Sequence, residues 1–365
     1  MAYNTVEKFL KGTGKPAAYN LEFECDSKKY CGLPTMERFL TYRATAADTN
    51  SVYPHASKFA TETQADSEYC QMADCDGSGA TGNSALIHEL YCTLWGWKRS
   101  AGAFGNVASG AFACLFGGDT MNSIQTIFDS IAEDVLARPE NRDLLNKKNA
   151  RWKVSVNFLL ELYKDKSCST QFLAAMNAVP GLSEYMDAYH SIGNLTLVPA
   201  GFNRYRGFNG TLEGVGKIND YWDYSLHYLQ LKGWATDFNA DGHHPEEYLR
   251  YINHFFLWDY TDTEGDYKPL LDRSVRTLES KTDFLAMVNR LIARRGCFME
   301  AMLRLAQTIG GGAYANLRDK VFMKNDAVYA DYMAVFAAIK GCLGAGCTPE
   351  IDQLLADAQE QTERI

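Results

Sequence analysis

The sequence lacks the features that mark secreted and membrane-spanning proteins. No run approaches the roughly 18 consecutive apolar residues of a membrane span, and the first residues do not show the basic, apolar and small-residue order of a signal peptide. Positive charge is also scarce, because 36 Lys and Arg residues stand against 45 Asp and Glu residues, which gives a formal net charge of -9. We therefore predict a soluble cytoplasmic protein with no membrane partner, in which any contact with nucleic acid would be local.

Cysteine is present, but without the spacing of a common metal site. None of the close pairs among the 10 cysteines has the two-residue gap of a zinc ribbon. A zinc site that joins Cys70 and Cys75 with His88 is the remaining alternative, and we favour reduced cysteines without metal. His244 and His254 are too far apart for a helical ligand pair, so we expect these histidines to cap a helix or lie on the surface.

Helical periodicity dominates what the sequence does contain. With 46% hydrophobic residues in 365, the chain can bury a full core. We predict a mainly α-helical (α+β) globular protein with a small central β element around residues 194–199. The predicted helices cover residues 85–95, 120–137, 144–165, 170–179, 182–189, 219–232, 245 onward, 282–308, 327–340 and 349–362, with a weaker strand at 19–24 and a weaker helix at 34–42.

The longest periodic segment, residues 282–308, carries an apolar stripe and one interrupting glycine. Because glycine costs about 1 kcal/mol against alanine inside a helix, Gly296 indicates close packing of another backbone. Four arginines, Arg290, Arg294, Arg295 and Arg304, lie off the stripe, where a solvated surface or ion pairs are expected. We divide the chain into a mixed α/β N-terminal region (1–115), a helix-rich core region (116–310) and a C-terminal helical extension (311–365).

A glycine-rich segment at residues 77–84 has part of the spacing of a phosphate-binding P-loop. Asn83 stands where that motif has its lysine, and no buried strand precedes it. We interpret the segment as a loop that ends in Ser84 as a helix cap. A nucleotide-binding protein is the alternative function that this loop leaves open.

Four short groups of residues follow one another along the chain in an order that resembles the pattern of a protein family. They are GGDTMNS (117–123), HSIGNLTLVP (190–199) with Asn203 and Arg206-Gly207, DYWD (220–223) with Ser225-Leu226, and 289–296 with its Arg295-Gly296 end. Together they resemble the landmarks of a broad family of uncharacterised bacterial cytoplasmic proteins. The resemblance covers roughly residues 115 to 305 and implies no established activity.

A second, local resemblance concerns chemistry. Residues 193–197 with Asn203 are similar to a segment in the C-terminal nuclease domain of modification-dependent restriction enzymes, which has a His-Me-finger (HNH-like) fold. In that family an upstream histidine polarises water and a neighbouring acid or Asn holds a divalent metal. No histidine lies between His88 and His190, so the upstream base is missing unless His190 serves. The resemblance therefore implies structural or metal-adjacent roles for Asn194 and Asn203.

Three interpretations of the central stretch follow. Asn194 and Asn203 either hydrogen-bond the turns around a buried strand, or line a binding pocket, or belong to a hydrolase. We predict an intracellular bacterial binding or interaction module for a protein partner or small anionic ligand, without established catalysis. The alternative is a metal-dependent nucleic-acid hydrolase, HNH-like and active in defence against foreign DNA, with a divalent metal as cofactor. The candidate binding residues are His190, Asn194, Asn203, Arg206, Trp222, Asp223 and Arg295.

Overall fold

A computed structural model describes most of the second half of the chain and parts of the first. The described residues are 85–99, 105–107, 116–122, 124–146, 165–188, 191–199, 202, 211–212, 216–217, 221–232, 246–270 and 278–365. They form a mainly α-helical globular structure, which confirms the predicted fold class. Among them, no helix combines the length and the apolar character needed to cross a membrane.

The helices are short except for one that runs through the core. They are α1 (Ala85–Trp95), α2 (Ile124–Ala137), α3 (Arg142–Asn146), α4 (Lys166–Asn177), α5 (Leu182–Ala188), α6 (Trp222–Lys232), α7 (Glu246–His254), α8 (Leu278–Ile309), α9 (Gly311–Val321), α10 (Tyr332–Leu343) and α11 (Pro349–Arg364).

The strands pair as three antiparallel two-stranded ladders. They are β1 (Trp97–Arg99), β2 (Gly105–Val107), β3 (Phe116–Thr120), β4 (Leu195–Pro199), β5 (Thr211–Leu212) and β6 (Gly216–Lys217), paired β1 with β2, β3 with β4 and β5 with β6. In the ladder that forms the central β element, Phe116 lies opposite Pro199 and Thr120 opposite Leu195.

Helix α8 is the element on which several of the other described elements pack. Its apolar stripe is buried, as Ile292, Phe298 and Met302 show, and α1, α5, α9 and α11 contact it. A 32-residue helix spans about 48 Å, so one element can support neighbours along its whole length. The predicted helix at 282–308 is thus confirmed, with one further turn at its start.

Aromatic rings fill the space where α7, α8 and α10 meet. Trp258 and Phe298 form an edge-to-face pair with centroids 5.3 Å apart, and Phe256 and Phe322 form another at 5.0 Å. Phe256 has a φ of 60°, a conformation that costs a non-glycine residue energy. The buried ring contacts hold this residue in place as the chain leaves α7.

The C-terminal helices begin with the caps that their sequences supply. The Asp331 carboxylate accepts a hydrogen bond from the Ala334 N–H of α10 at 2.9 Å, and the Thr348 hydroxyl accepts from the Ile351 N–H of α11 at 3.4 Å. Pro349 occupies the first turn of α11, where its missing N–H costs nothing. This confirms the start predicted for α11, whereas α10 begins five residues later than predicted.

The close backbone packing predicted at Gly296 is confirmed. A Cβ added to Gly193 would lie 2.9 Å from the Gly296 nitrogen and closer still to the Ile292 carbonyl oxygen, so the turn before β4 rests directly on the backbone of α8. Gly193 does not have a positive φ. It is glycine for lack of space, and not because a positive φ requires it.

Several other expectations differ from the structure or lie outside the described residues. The sequence did not predict α9 or the strand β3. The strand at 19–24, the helix at 34–42, the Gly77–Ser84 loop, the cysteines Cys70 and Cys75, and nearly all of the helix at 144–165 lie outside the described residues.

Candidate functional site

The central stretch lies inside the protein and not at its surface. Every residue from Ser191 to Pro199 is buried, including the 3-10 turn Ile192–Asn194 and all of β4. A strand buried on both faces is typical of a core element. Two candidate residues, Asn194 and Arg295, meet around this turn.

The side chain of Asn194 forms a reciprocal pair with Asn122. Its Oδ1 accepts from the Asn122 backbone N–H at 3.1 Å and side-chain Nδ2 at 3.3 Å, and its Nδ2 donates to the Asn122 carbonyl at 3.1 Å. The Asn194 carbonyl accepts from the Met121 N–H at 2.7 Å. Tyr185 donates its hydroxyl to the same Asn122 carbonyl at 2.7 Å. These bonds fix the ends of β3 and β4 against each other.

Arg295 is fully buried on α8, although the sequence indicated a solvated or ion-paired position. Its Nη1 donates to the carbonyls of Gly193 at 2.9 Å and Leu195 at 2.7 Å. Its Nε and Nη2 donate to the Phe255 carbonyl at 3.1 and 2.8 Å. The side chain therefore joins three elements by their backbones, and the Trp95 ring lies 5.8 Å from its Cζ.

The environment of Arg295 is unusual because tyrosines, not carboxylates, surround it. No carboxylate of the described residues forms an ion pair with this guanidinium. Burial lowers the pKa of Arg295, and the hydroxyls of Tyr332 and Tyr260 act in the opposite direction. Carbonyl dipoles therefore stabilise the charge, since an arginine remains protonated in proteins.

Side chains also cover the edge of β4 that faces away from β3. Alternate residues of a strand direct their carbonyls to the same edge, and the carbonyls of Leu195 and Leu197 accept from Arg295 and from the Tyr251 hydroxyl, the latter at 2.7 Å. Tyr91 also donates a longer bond, at 3.4 Å, to the Thr196 carbonyl, which by the same alternation faces β3. Arg295 and Tyr251 thus occupy carbonyls at the β4 edge of the ladder, where another strand would otherwise pair.

Trp222 and Asp223 lie at the start of α6, and both are buried. The Asp223 Oδ2 accepts from the Leu270 N–H at 2.9 Å, so this carboxylate fixes the segment that leads towards α8. Burial raises the pKa of Tyr260, and the charge of Arg295 lowers it while that of Asp223 raises it. The charges of both candidate residues, Asp223 and Arg295, therefore act on Tyr260.

The sequence did not identify Asn122, Tyr251 or Tyr260, although each contributes to this region. Asn122 belongs to the GGDTMNS landmark, and that position was the signal that could have led to it. The tyrosines resemble other buried aromatic residues of amphipathic helices, so nothing in the sequence separates them from the core.

His254 differs from the surface position expected for it. It is buried, and one ring nitrogen, Nε2, lies 3.1 Å from the Trp95 carbonyl. Because a carbonyl only accepts, Nε2 carries the proton. Burial, followed by the charge of Arg318, lowers the pKa of His254 to about 3. The imidazole is neutral at physiological pH.

The remaining candidates, His190, Asn203 and Arg206, lie outside the described residues. Phe202, between them, is described and buried, and its ring stacks on Tyr228 with centroids 6.0 Å apart. Asn203 therefore directly follows an anchored residue.

In the part of the chain that the structure describes, no three His, Cys, Asp or Glu side chains lie close enough together to hold a metal ion. No protein-family model matches the chain, and no significantly similar curated protein or solved structure was found. The residues themselves therefore carry the functional argument.

Proposed function

We propose that the chain is a binding or interaction module of the bacterial cytoplasm, in which β4 is a scaffold that presents the following segment to a ligand or partner. The observation that carries this proposal is the use of Arg295. All of its hydrogen bonds go to backbone carbonyls of Gly193, Leu195 and Phe255. A guanidinium with four of its five N–H donors occupied in this way supports the fold and has at most one N–H left for a substrate.

The segment after β4 supplies the recognition groups. Pro199 ends the buried strand, and Phe202 anchors the chain against α6 through Tyr228. Asn203 and Arg206 follow within four residues. The amide and the guanidinium can donate hydrogen bonds to a small anionic ligand or to an acidic group on a protein partner, and they follow a residue that is anchored to the core.

The alternative, a metal-dependent nucleic-acid hydrolase with an HNH-like segment and a role in defence, uses the same stretch differently. It requires a base and metal ligands close to Asn194. The Asn194 side chain hydrogen-bonds Asn122, and His190 is the residue that the sequence offers as the base. The proposed binding function needs no such group.

A thermal-shift series tests the proposal. The purified protein is heated with inorganic phosphate, nucleotides and short DNA or RNA, each with and without Mg²⁺ or Mn²⁺. We expect a ligand-dependent rise in melting temperature that Arg206→Ala and Asn203→Ala remove, because a ligand that binds only the native state stabilises it by mass action. Arg364→Ala, which removes an exposed arginine paired with Glu360, is the matched control.

Two results contradict the binding proposal. If Arg206→Ala and Asn203→Ala respond to every ligand as the wild type does, the segment is not a recognition site. If the protein cleaves DNA or RNA with Mg²⁺ and His190→Ala abolishes cleavage, the hydrolase is correct.

A further inference from the structure

Arg294, next to the buried Arg295 on α8, is held in place without being used by the fold. Its Nη1 lies 3.3 Å from the Asp259 Oδ1, and its Cζ lies 5.4 Å from the centre of the Tyr332 ring. The side chain is only 17% exposed, yet it makes no hydrogen bond to any described residue. The carboxylate and the ring thus fix a guanidinium that makes no hydrogen bond within the described residues.

The partner of Arg294 is also incompletely satisfied. Asp259 lies in the 3-10 turn Trp258–Tyr260, and its Oδ2 is buried without a hydrogen-bond partner among the described residues. The Nε of Arg294 is buried and unpaired in the same way. A largely buried ion pair with unpaired polar atoms lowers the stability of the fold. Stability therefore does not explain why this pair is present.

Two further cations surround this pair. Arg290 is exposed one turn before Arg294 on α8, on the same face of the helix. Lys268 is exposed as well, and its backbone N–H donates to the Tyr260 carbonyl at 2.8 Å, which places its backbone next to the turn that carries Asp259. Burial raises the pKa of Asp259, while the charges of Arg294, Lys268 and Arg290 lower it. All three cations therefore act on one carboxyl group.

The exposed cations Arg290 and Lys268 are not neutralised by a described acid. Asp331, the other acid that acts on Asp259, already accepts a hydrogen bond as the cap of α10. Within the described residues, no acid lies at ion-pair distance from Arg290 or Lys268. A local cationic site on a protein of net charge -9 is not a consequence of its overall composition.

We propose that Arg290, Arg294 and Lys268 form a binding site for a phosphate group, either free phosphate or a small phosphomonoester. Arg294 supplies a guanidinium that is already oriented, so little conformational entropy is lost on binding. Arg290 and Lys268 add charge-assisted donors from the solvent side. Asp259 is a positioning residue that holds Arg294 from behind. This proposal does not depend on Asn203 or Arg206.

Isothermal titration of the full-length protein with inorganic phosphate tests the site, with chloride at matched ionic strength as the reference. Arg290→Lys and Arg294→Lys keep the charge but lose the planar fork of donors. We expect saturable phosphate binding by the wild type and at least about tenfold weaker binding by each variant, as the loss of one charge-assisted hydrogen bond implies. Titration with adenosine monophosphate distinguishes free phosphate from a phosphomonoester, according to which one binds more tightly.

Arg304→Lys is the matched control, since Arg304 lies on the same helix and pairs with Glu300. It should bind phosphate as the wild type does. Arg290 is exposed, so the Arg290→Lys protein folds normally and its titration can be interpreted directly. The inference is wrong if phosphate binds no better than chloride, or if both lysine variants bind like the wild type. If Arg206→Ala alone removes phosphate binding, the anion binds at the segment after β4, which supports the proposed function and overturns this site.

Discussion

Replacing Gly193 by alanine should destabilise the protein far more than replacing a glycine normally does. The added Cβ would lie 2.9 Å from the Gly296 nitrogen and closer still to the Ile292 carbonyl oxygen. Overpacking a core costs about 1–3 kcal/mol when side chains can move aside. Here both obstacles are backbone atoms of α8, so we expect a loss of about 3 kcal/mol or more in the free energy of unfolding.

Gly341→Ala is the matched control. Gly341 lies in α10 with no atom within 4 Å of its added Cβ and without a positive φ. Alanine should stabilise this helix by about 0.5–1 kcal/mol. Urea unfolding followed by tryptophan fluorescence measures both variants, because Trp95, Trp222 and Trp258 are fully buried reporters. If Gly193→Ala unfolds at the same urea concentration as the wild type, the turn before β4 does not rest on α8 and the reasoning is refuted.

Three further predictions concern buried polar groups. Arg295→Met should cost about 3 kcal/mol or more, because three buried carbonyls lose their donors, and a variant as stable as the wild type in urea would contradict this. Tyr251→Phe removes the bond to the Leu197 carbonyl, so urea unfolding should show a loss of about 1 kcal/mol in the free energy of unfolding. A larger loss for Tyr251→Phe than for Arg295→Met would contradict this prediction. The folded protein lowers the pKa of His254 to about 3, so as the pH falls the imidazole of the unfolded chain is protonated first. The free energy of unfolding should therefore fall as the pH decreases from about 6.5 towards 3, by at most about 1.4 kcal/mol per pH unit. In His254→Gln that loss should be smaller, and equal pH profiles would show that His254 does not contribute.

The sequence predicted the helices whose apolar residues recur with helical spacing. Helix α1 has the predicted bounds, and α8 was recognised from its stripe. Helix α9 was missed because it begins with Gly311 and Gly312, which are poor helix formers. Strand β3 was missed for a similar reason, since FGGDT has neither alternation nor β-branched residues until its end. Its pairing with β4, some 75 residues later, is a tertiary contact that local patterns do not contain.

At the candidate site, residue type predicted which residues matter but not the environment of each side chain. The sequence singled out Asn194 and Arg295, and the structure does bring them to one turn. Their environment was not predictable, because an arginine on the polar side of a helical stripe normally reaches solvent. Here the close approach at Gly193 brings the carbonyls of Gly193 and Leu195 to the guanidinium instead. The role of Arg294 depends in the same way on a turn 35 residues earlier, at Asp259.

The central claim is that residues 191–199 form a buried scaffold held by Arg295, and amide hydrogen exchange tests it most directly. Because exchange requires the protecting structure to open, amides of a core strand exchange far more slowly than those of frayed ends. We predict that this segment exchanges as slowly as the middle of α8, and that Arg295→Met selectively speeds its exchange. If residues 191–199 of the wild type exchange as rapidly as the exposed end of α11, this claim is contradicted.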